Sequence, residues 1–272
     1  MASQTSNFSR APQVDDREAL REICPHAGHA PFINVAVEQF DGTWLPTGCP
    51  ACNWAAMNTA PVDSLAHKAE KSRRSDERLN AMLVGSGITP RFRGCALDTF
   101  LTNAEPAKVR ALATCQSYVE HFEDNYRTGR SLILAGGVGT GKTHLASGMA
   151  QAVIRQFGAS ALVVSVAEIV RVAKGTMAKG ATYAERDVID ELARVDLLAI
   201  DEVGAQRGTE YELGLLHEII DRRYHLVVPT VLVSNLRVEE LKDYIGERAI
   251  DRLRQGGGKA VGFTWPSMRA LV

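Results

Sequence analysis

Four residues set the chemistry this chain can do. Gly136, Gly141, Lys142 and Thr143 fall at the spacing G-x-x-x-x-G-K-[ST], inside a run from Ser131 to His144 that also carries Gly137, Val138, Gly139 and Thr140. A loop this rich in glycine turns successive backbone N–H groups inward and builds a concave anion site suited to a polyphosphate. Lys142 is spaced to reach β- and γ-phosphates, and Thr143 offers a hydroxyl to Mg²⁺, a hard ion that takes oxygen ligands. His144 begins a segment expected to be helical, because the positive end of a helix dipole completes such a cradle. Two carboxylates complement the loop: Asp201 and Glu202 end the apolar run from Val195. At a strand tip the first can hold the Mg²⁺ shell opposite Thr143 while the second orients or polarises a water. Asn235, closing a further apolar run from Val227, is an uncharged amide in position to help place that water. Arg248 and Arg252 stand four apart, on one face of a helix expected over 247–254. No arginine of obvious use in cis precedes Asp201, so that face is the candidate to supply charge to a phosphate held by another copy.

A second chemistry sits near the N-terminus. Cys24 with His26 or His29, and then Cys49 and Cys52, have the spacing of a small zinc ribbon, a tetrahedral Cys₃His site closed by one of the two histidines. His26 is slightly preferred. Between the ligand pairs, Phe32, Val35, Val37 and Phe40 alternate ahead of a turn at Asp41-Gly42, predicting a hairpin with Trp44 packed against it. A fold this small needs a staple, and zinc supplies on the order of 10 kcal/mol when it folds a finger. Five cysteines, an odd number with three in one short stretch, fit a metal site in a reducing compartment better than a disulfide framework.

Positioning the phosphate loop requires a strand before it and a helix after it. Leu132 to Ala135 is a short apolar run suited to a strand buried on both faces, and 144–157 reads as helix. A strand over 161–165, helices over 167–179 and 183–194 and an edge strand over 260–265 extend the pattern to an α/β fold with a central parallel sheet flanked by helices. The segment 105–126 places Val109, Leu112, Ala113, Gln116 and Val119 at helical spacing, with Cys115 in the same packing. Upstream, 17–23 reads as one or two helical turns and 61–84 as a polar helix carrying Lys68, Lys71, Arg73, Arg74 and Arg78. That helix is a solvated connector or a contact for nucleic-acid phosphate, and the glycines of 85–87 end it. The expected domains are therefore 1–60 (ribbon), 61–87 (helical linker) and 88–272 (nucleotide-binding). A net charge of −1 over 272 residues confines any nucleic-acid contact to a local patch. With no apolar signal-peptide core and no run of membrane-spanning length, a cytoplasmic protein with no membrane partner is expected.

From about Ile88 to Arg269 the sequence resembles the DnaC-type helicase loaders, which belong with the IstB-type transposition ATPases and are similar to the initiator branch of the AAA+ superfamily. The runs that carry the resemblance are 88–93, 139–146, 197–204, 221–224, 234–236, 246–254 and 263–269. It implies an ATP- and Mg²⁺-dependent ATPase, slow on its own, that self-associates through this domain and hands a hexameric replicative DNA helicase onto single-stranded DNA. It further implies that Asn235 is sensor 1, Arg252 the trans-acting arginine finger with Arg248 beside it, and Arg269 the sensor 2 arginine. The N-terminal part is similar to the cysteine-rich ribbon of phage-type and Gram-positive-type loaders, so the partner surface of the simpler members does not carry over. Ser234 stands where the family has threonine. Two other readings share these motifs: an IstB-like helper of a DNA transposase, and a nucleotide-gated adaptor with negligible hydrolysis.

Overall fold

A computed structural model describes residues 20–26, 28–178, 181–205 and 208–269. The chain divides into two compact units, with described residues 20–85 in one and 86–269 in the other.

The N-terminal unit opens with two antiparallel ribbons: β1 (Leu20–Glu22) pairs with β2 (Phe32–Asn34), and β3 (Ala36–Glu38) with β4 (Trp44–Pro46). The helical turns expected over 17–23 are therefore strand from Leu20 onward, and 17–19 lie outside the described residues. Asp41 shapes the second hairpin, its Oδ1 accepting from the Thr43 amide at 2.9 Å. Trp44 is exposed instead of packed on the hairpin. Helix α1 (Pro50–Asn58), absent from the sequence reading, starts from Cys49 as N-cap. Helix α2 (Leu65–Val84) begins where Ser64 Oγ accepts the His67 amide. It packs against α1, and Asn80 ties it to the second hairpin through Phe40 N and Glu38 O at 2.8 and 2.9 Å. Much of its basic charge is neutralised internally. Arg73 and Arg74 both donate to buried Glu70, and those hydrogen bonds hold the carboxyl down at about 2.

In the larger unit, β5 (Leu132–Gly136), β6 (Ala161–Ser165), β7 (Leu197–Val203), β8 (Thr230–Ser234) and β9 (Lys259–Phe263) form one parallel sheet in the order β6-β7-β8-β5-β9. All five residues of β5 and of β8 are buried, as two-sided cover demands. Ile133 and Ala135 join Leu162, Ile200 and Leu232 in a core with residues of α6 (Val166–Gly175), α7 (Glu185–Arg194), α8 (Glu210–His225), α9 (Val238–Ile245) and α10 (Glu247–Arg254). Helices α3 (Pro106–Glu120) and α5 (Lys142–Phe157) pack together apart from that cluster. Neither α8 nor α9 was legible as a helix.

Several boundaries differ from expectation. The helix expected over 105–126 is two, α3 and α4 (Phe122–Thr128), broken at His121, and α3 buries Ala111, Cys115, Tyr118 and Val119 while Val109 is exposed. Helix α6 stops at Gly175, short of Lys179, which lies outside the described residues, and α7 starts two residues later than expected. Strand β8 starts only at Thr230, because Val227 takes a left-handed φ of 56° to turn out of α8. At the unit's start Gly87, φ +71°, lies so close to the chain that a Cβ there would stand 2.4 Å from Val163 O, while Ser86 O accepts the Val163 amide. Among the described residues no helix is long and apolar enough to cross a membrane.

One buried cation organises the base of this unit. Arg223 is 0% exposed and donates to Leu192 O, Val195 O, Pro229 O and Thr230 Oγ1 at 2.5–3.0 Å, closing the end of α7 and the turn into β8. Desolvation pulls it down to about 9, yet no carboxylate touches it among these contacts. Arg223→Met is expected to strand four buried acceptors and cost about 3–5 kcal/mol, or about 10 °C in Tm. A calorimetric melt within 2 °C (about 1 kcal/mol at this size) of the unsubstituted chain would show that the network is dispensable.

Candidate functional site

Strand order builds the site. In a parallel sheet all carboxyl ends lie on one edge, and β7, β8 and β5 are consecutive, so the ends carrying Asp201, Asn235 and the glycine loop stand side by side. Gly136 (φ 139°), Gly139 (φ 75°) and Gly141 (φ 92°) take backbone conformations that L side chains rarely adopt. A Cβ at Gly136 would stand 2.2 Å from Phe263 O, and one at Gly141 2.6 Å from the Phe100 ring. Thr140 Oγ1 donates to Gly137 O at 2.8 Å inside the loop, and Val138 at its tip is exposed. Lys142 is 4% exposed, its Nζ donating to Gly136 O and Gly137 O at 2.8 and 2.6 Å. Burial pulls its ammonium down to about 8. The His144 ring turns away from the loop, toward Ala96 O at 2.9 Å and Thr99 Oγ1 at 3.2 Å, so only its backbone belongs to the cradle.

The carboxylates sit on a bulge. Ile200 is opposite Leu232 and Val203 opposite Ser234, three steps on β7 against two on β8, and Glu202 absorbs the extra residue with φ 61°. Such a left-handed residue other than glycine costs about 1 kcal/mol or more, and bulges of this kind re-aim side chains. Asp201 is buried; its Oδ1 accepts the Glu202 amide at 2.7 Å and it shares a hydrogen bond with Thr143. Burial pushes its carboxyl up, and the Thr143 bond, the Glu202 amide and Lys142 oppose that rise. Glu202 itself is exposed. The buried Ser234 hydroxyl donates to Val203 O at 2.7 Å and accepts from Leu236 N, fastening the bulge to the end of β8 just before half-buried Asn235.

The C-terminal segment clips the loop from the far side, a contribution that no spacing rule reveals because it lies 125 positions away. Trp265 Nε1 donates to Thr140 O at 3.0 Å, and Met268 N to Gly139 O at 2.8 Å. Arg269 thereby stands at the loop, a Cβ on Gly139 coming within 3.3 Å of its Cγ, and its charge also bears down on Lys142.

Arg248 and Arg252 are not brought here. Arg252 lines a cavity of about 360 Å³ with Ser131 and Thr230, which mark the amino ends of β5 and β8, the edge opposite the glycine loop. Its ion partner is Asp221 on α8, not Asp251 of its own helix, and Arg248 is exposed.

The N-terminal cluster is separate. Nδ1 of His29 and Sγ of Cys24, Cys49 and Cys52 lie within 4.8 Å of one another. His29 Nδ1 is 3.3, 3.7 and 3.4 Å from Cys24, Cys49 and Cys52 Sγ, and Cys24 is 3.4 Å from Cys52. Tetrahedral zinc, with bonds of about 2.0–2.3 Å, has edges of about 3.5–3.8 Å, so the cluster is compatible with that metal. The mutual quartet holds His29 and not the preferred His26; the His26 ring still reaches Cys24 and Cys52 Sγ, at 3.6 and 3.4 Å, and its amide donates to Cys24 Sγ at 3.4 Å. The Cys52 amide, donating to Cys49, lowers that thiol to about 7.

Residues 54–253 match the family model described as IstB-like ATP binding protein. The replicative helicase loader DnaC of Escherichia coli strain K12 is 36% identical over 187 residues, 69% of this chain and 74% of the relative. This chain belongs to the IstB/DnaC-like AAA+ ATPases. Among DnaC-named members, the Buchnera aphidicola protein from the strain APS is 34% identical over 219 residues, 77% of this chain and 87% of its own length. The fold agrees: a solved DnaC helicase loader covers 64% of this chain and 99% of itself, with a TM-score of 0.57 at 22% identity.

Membership in this ATP-binding family makes the depressed Lys142 testable. A triphosphate favours the charged ammonium, so binding above pH 8 must first restore the proton. Uptake is expected to rise from about 0.1 proton per nucleotide at pH 7 to about 0.9 at pH 9, with affinity falling about tenfold per pH unit beyond 8. Calorimetry in two buffers of unlike ionisation enthalpy measures this, and proton release at pH 9 would contradict it.

Proposed function

We propose that this chain is an ATP-dependent loader that delivers a hexameric replicative DNA helicase to single-stranded DNA. The observation that carries the reading is the shared edge of β5, β7 and β8, with Lys142, Thr143, Asp201, Glu202 and Asn235 on it, in a chain 36% identical to a named helicase loader. The loop amides and Lys142 grip the phosphates of ATP, and Thr143 and Asp201, already hydrogen-bonded, hold Mg²⁺ between hard oxygen donors. Bound there, the ion neutralises charge developing on the transferred phosphoryl group. Glu202 orients the attacking water with help from Asn235, and Arg269 faces the phosphates in cis. Arg252, on the far edge from its own loop, acts on a neighbouring copy, with Arg248 beside it. Hydrolysis is slow until subunits assemble in the cytoplasm around helicase and DNA. The ribbon of residues 1–60 holds zinc and docks on the partner, 61–87 connects, and 88–272 turns over ATP.

The test is co-elution of the purified chain with the replicative helicase of the same cell, with ATP and single-stranded DNA, using Glu202→Gln to hold the bound state. Absence of a nucleotide-dependent complex would sink the reading. The IstB-like family match favours one rival, a helper ATPase that delivers a transposase to target DNA. Capture of a transposase in place of the helicase decides for it, and full loading by Glu202→Gln decides for an adaptor that does not need hydrolysis.

A further inference from the structure

Arg252 is held tightly within its own chain. Its side chain is 12% exposed, its guanidinium is ion-paired with Asp221, and its Cζ lies 5.5 Å from the centre of the Tyr224 ring. Asp221 and Tyr224 stand three apart on the last turns of α8 and share a helix face. Arg223 between them is anchored inward by its four short contacts, so the turn that carries the pair is rigid. A carboxylate and an aromatic ring face together hold a guanidinium electrostatically, by ion pairing and by cation–π attraction. In that position its charge is cancelled by Asp221. Arg248, one turn earlier on α10, and Arg254 at its end are exposed, so of the helix's three arginines only Arg252 is withheld from solvent.

We propose that Asp221 and Tyr224 form a cis seat that withholds Arg252 in the unassembled chain, and that assembly exchanges the Asp221 carboxylate for a phosphate of nucleotide held by a neighbouring copy. The inference rests on the trans role given to Arg252 above. Carboxylate and phosphate oxygens accept the same two-pronged guanidinium, so the exchange needs no new donor geometry. Arg252 and Tyr224 line the cavity of about 360 Å³, and the Asp221 side chain is about a third exposed, leaving a route for the guanidinium to leave.

Asp221→Asn keeps the volume and removes the charge. Because the seat competes with assembly, the protein concentration giving half-maximal ATP turnover per chain is expected to fall about fivefold. Tyr224→Leu, which removes the ring, shifts the same concentration in the same direction by about twofold and serves where Asp221→Asn does not fold. An unchanged or raised concentration in a folded variant overturns the seat, as does failure of both variants to fold, which makes the pair structural. The trans role is judged apart from this: if Arg252→Ala alone turns over ATP at the unsubstituted rate, that reading fails. An inactive Arg252→Ala with no shift in Asp221→Asn removes the seat alone.

Discussion

Stripping metal from the purified chain with a chelator is expected to unfold the N-terminal unit and leave the melt of the larger unit in place. The N-terminal unit has almost no core of its own. Among its described apolar side chains only Cys24, Phe40 and Leu83 are buried, while Ile23, Ile33, Leu45 and Trp54 are exposed and α1 buries nothing. Its strands are three residues each, too short to stand as isolated hairpins. What joins the β1–β2 side to α1 is the quartet of Cys24, His29, Cys49 and Cys52, and closing it with zinc is worth about 10–16 kcal/mol, more than a unit this small retains by burial. Elemental analysis is expected to find about one zinc per chain, the count a single four-ligand site holds. His29→Ala is expected to lower zinc affinity by orders of magnitude, while His26→Ala, which keeps the amide on Cys24, changes it less than about tenfold. Dispersed amide resonances from residues 20–85 in metal-free protein would refute the staple. Equal losses from both histidine variants would refute the assignment to His29.

What the sequence made legible follows from how local each signal is. The glycine loop, the Asp201-Glu202 pair and the C-x-x-C pair are spacings within a few residues; the loop lies between β5 and α5, the acidic pair near the carboxyl end of β7, and the cysteine pair at the start of α1. The strands read well because a two-sided parallel strand leaves an unbroken apolar run, as in Leu132 to Ala135 and Ala161 to Val164. Helices α8 and α9 were harder. Along α8 the buried pairs Leu215-Leu216 and Ile219-Ile220 follow Gly214, a poor helix former, and Arg223, a charge, points inward. The choice between His26 and His29 could not be made from spacing, since either reaches a tetrahedral site; in the fold both rings approach Cys24 and Cys52, and the His29 ring also approaches Cys49. Contacts spanning long stretches were invisible for the same reason. Trp265 on Thr140, Asp221 on Arg252 and Ser234 on Val203 join elements far apart in sequence or on different strands, and no periodicity encodes them. Ser234 keeps the hydroxyl that a threonine would offer, and that buried group ties the bulge carrying Glu202 to the end of β8 just before Asn235.

Replacing Arg252 with alanine is expected to lower ATP turnover of the assembled protein by about 10³ to 10⁵, the range an arginine finger contributes. The geometry restricts where that loss can arise. Arg252 and the glycine loop occupy opposite edges of the sheet, and a five-residue strand such as β5 spans about 16 Å, so the guanidinium cannot serve the phosphates of its own chain. A loss of this size therefore comes either from a missing charge at a neighbour's site or from a damaged subunit. Mixing separates the two. Arg252→Ala chains keep an intact loop, and Lys142→Ala chains keep an intact arginine, so each is inactive alone for a different reason. In an equal mixture about a quarter of head-to-tail junctions pair an intact loop with an intact arginine, and about a quarter of unsubstituted turnover is expected to return. Arg252→Lys is expected to recover little, because an ammonium cannot reproduce the planar fork that grips two phosphate oxygens at once. If no ratio of the two variants restores hydrolysis while both remain folded, Arg252 is a structural partner of Asp221 and the charge on the neighbour's phosphate must come from exposed Arg248, whose own alanine variant would then carry the loss.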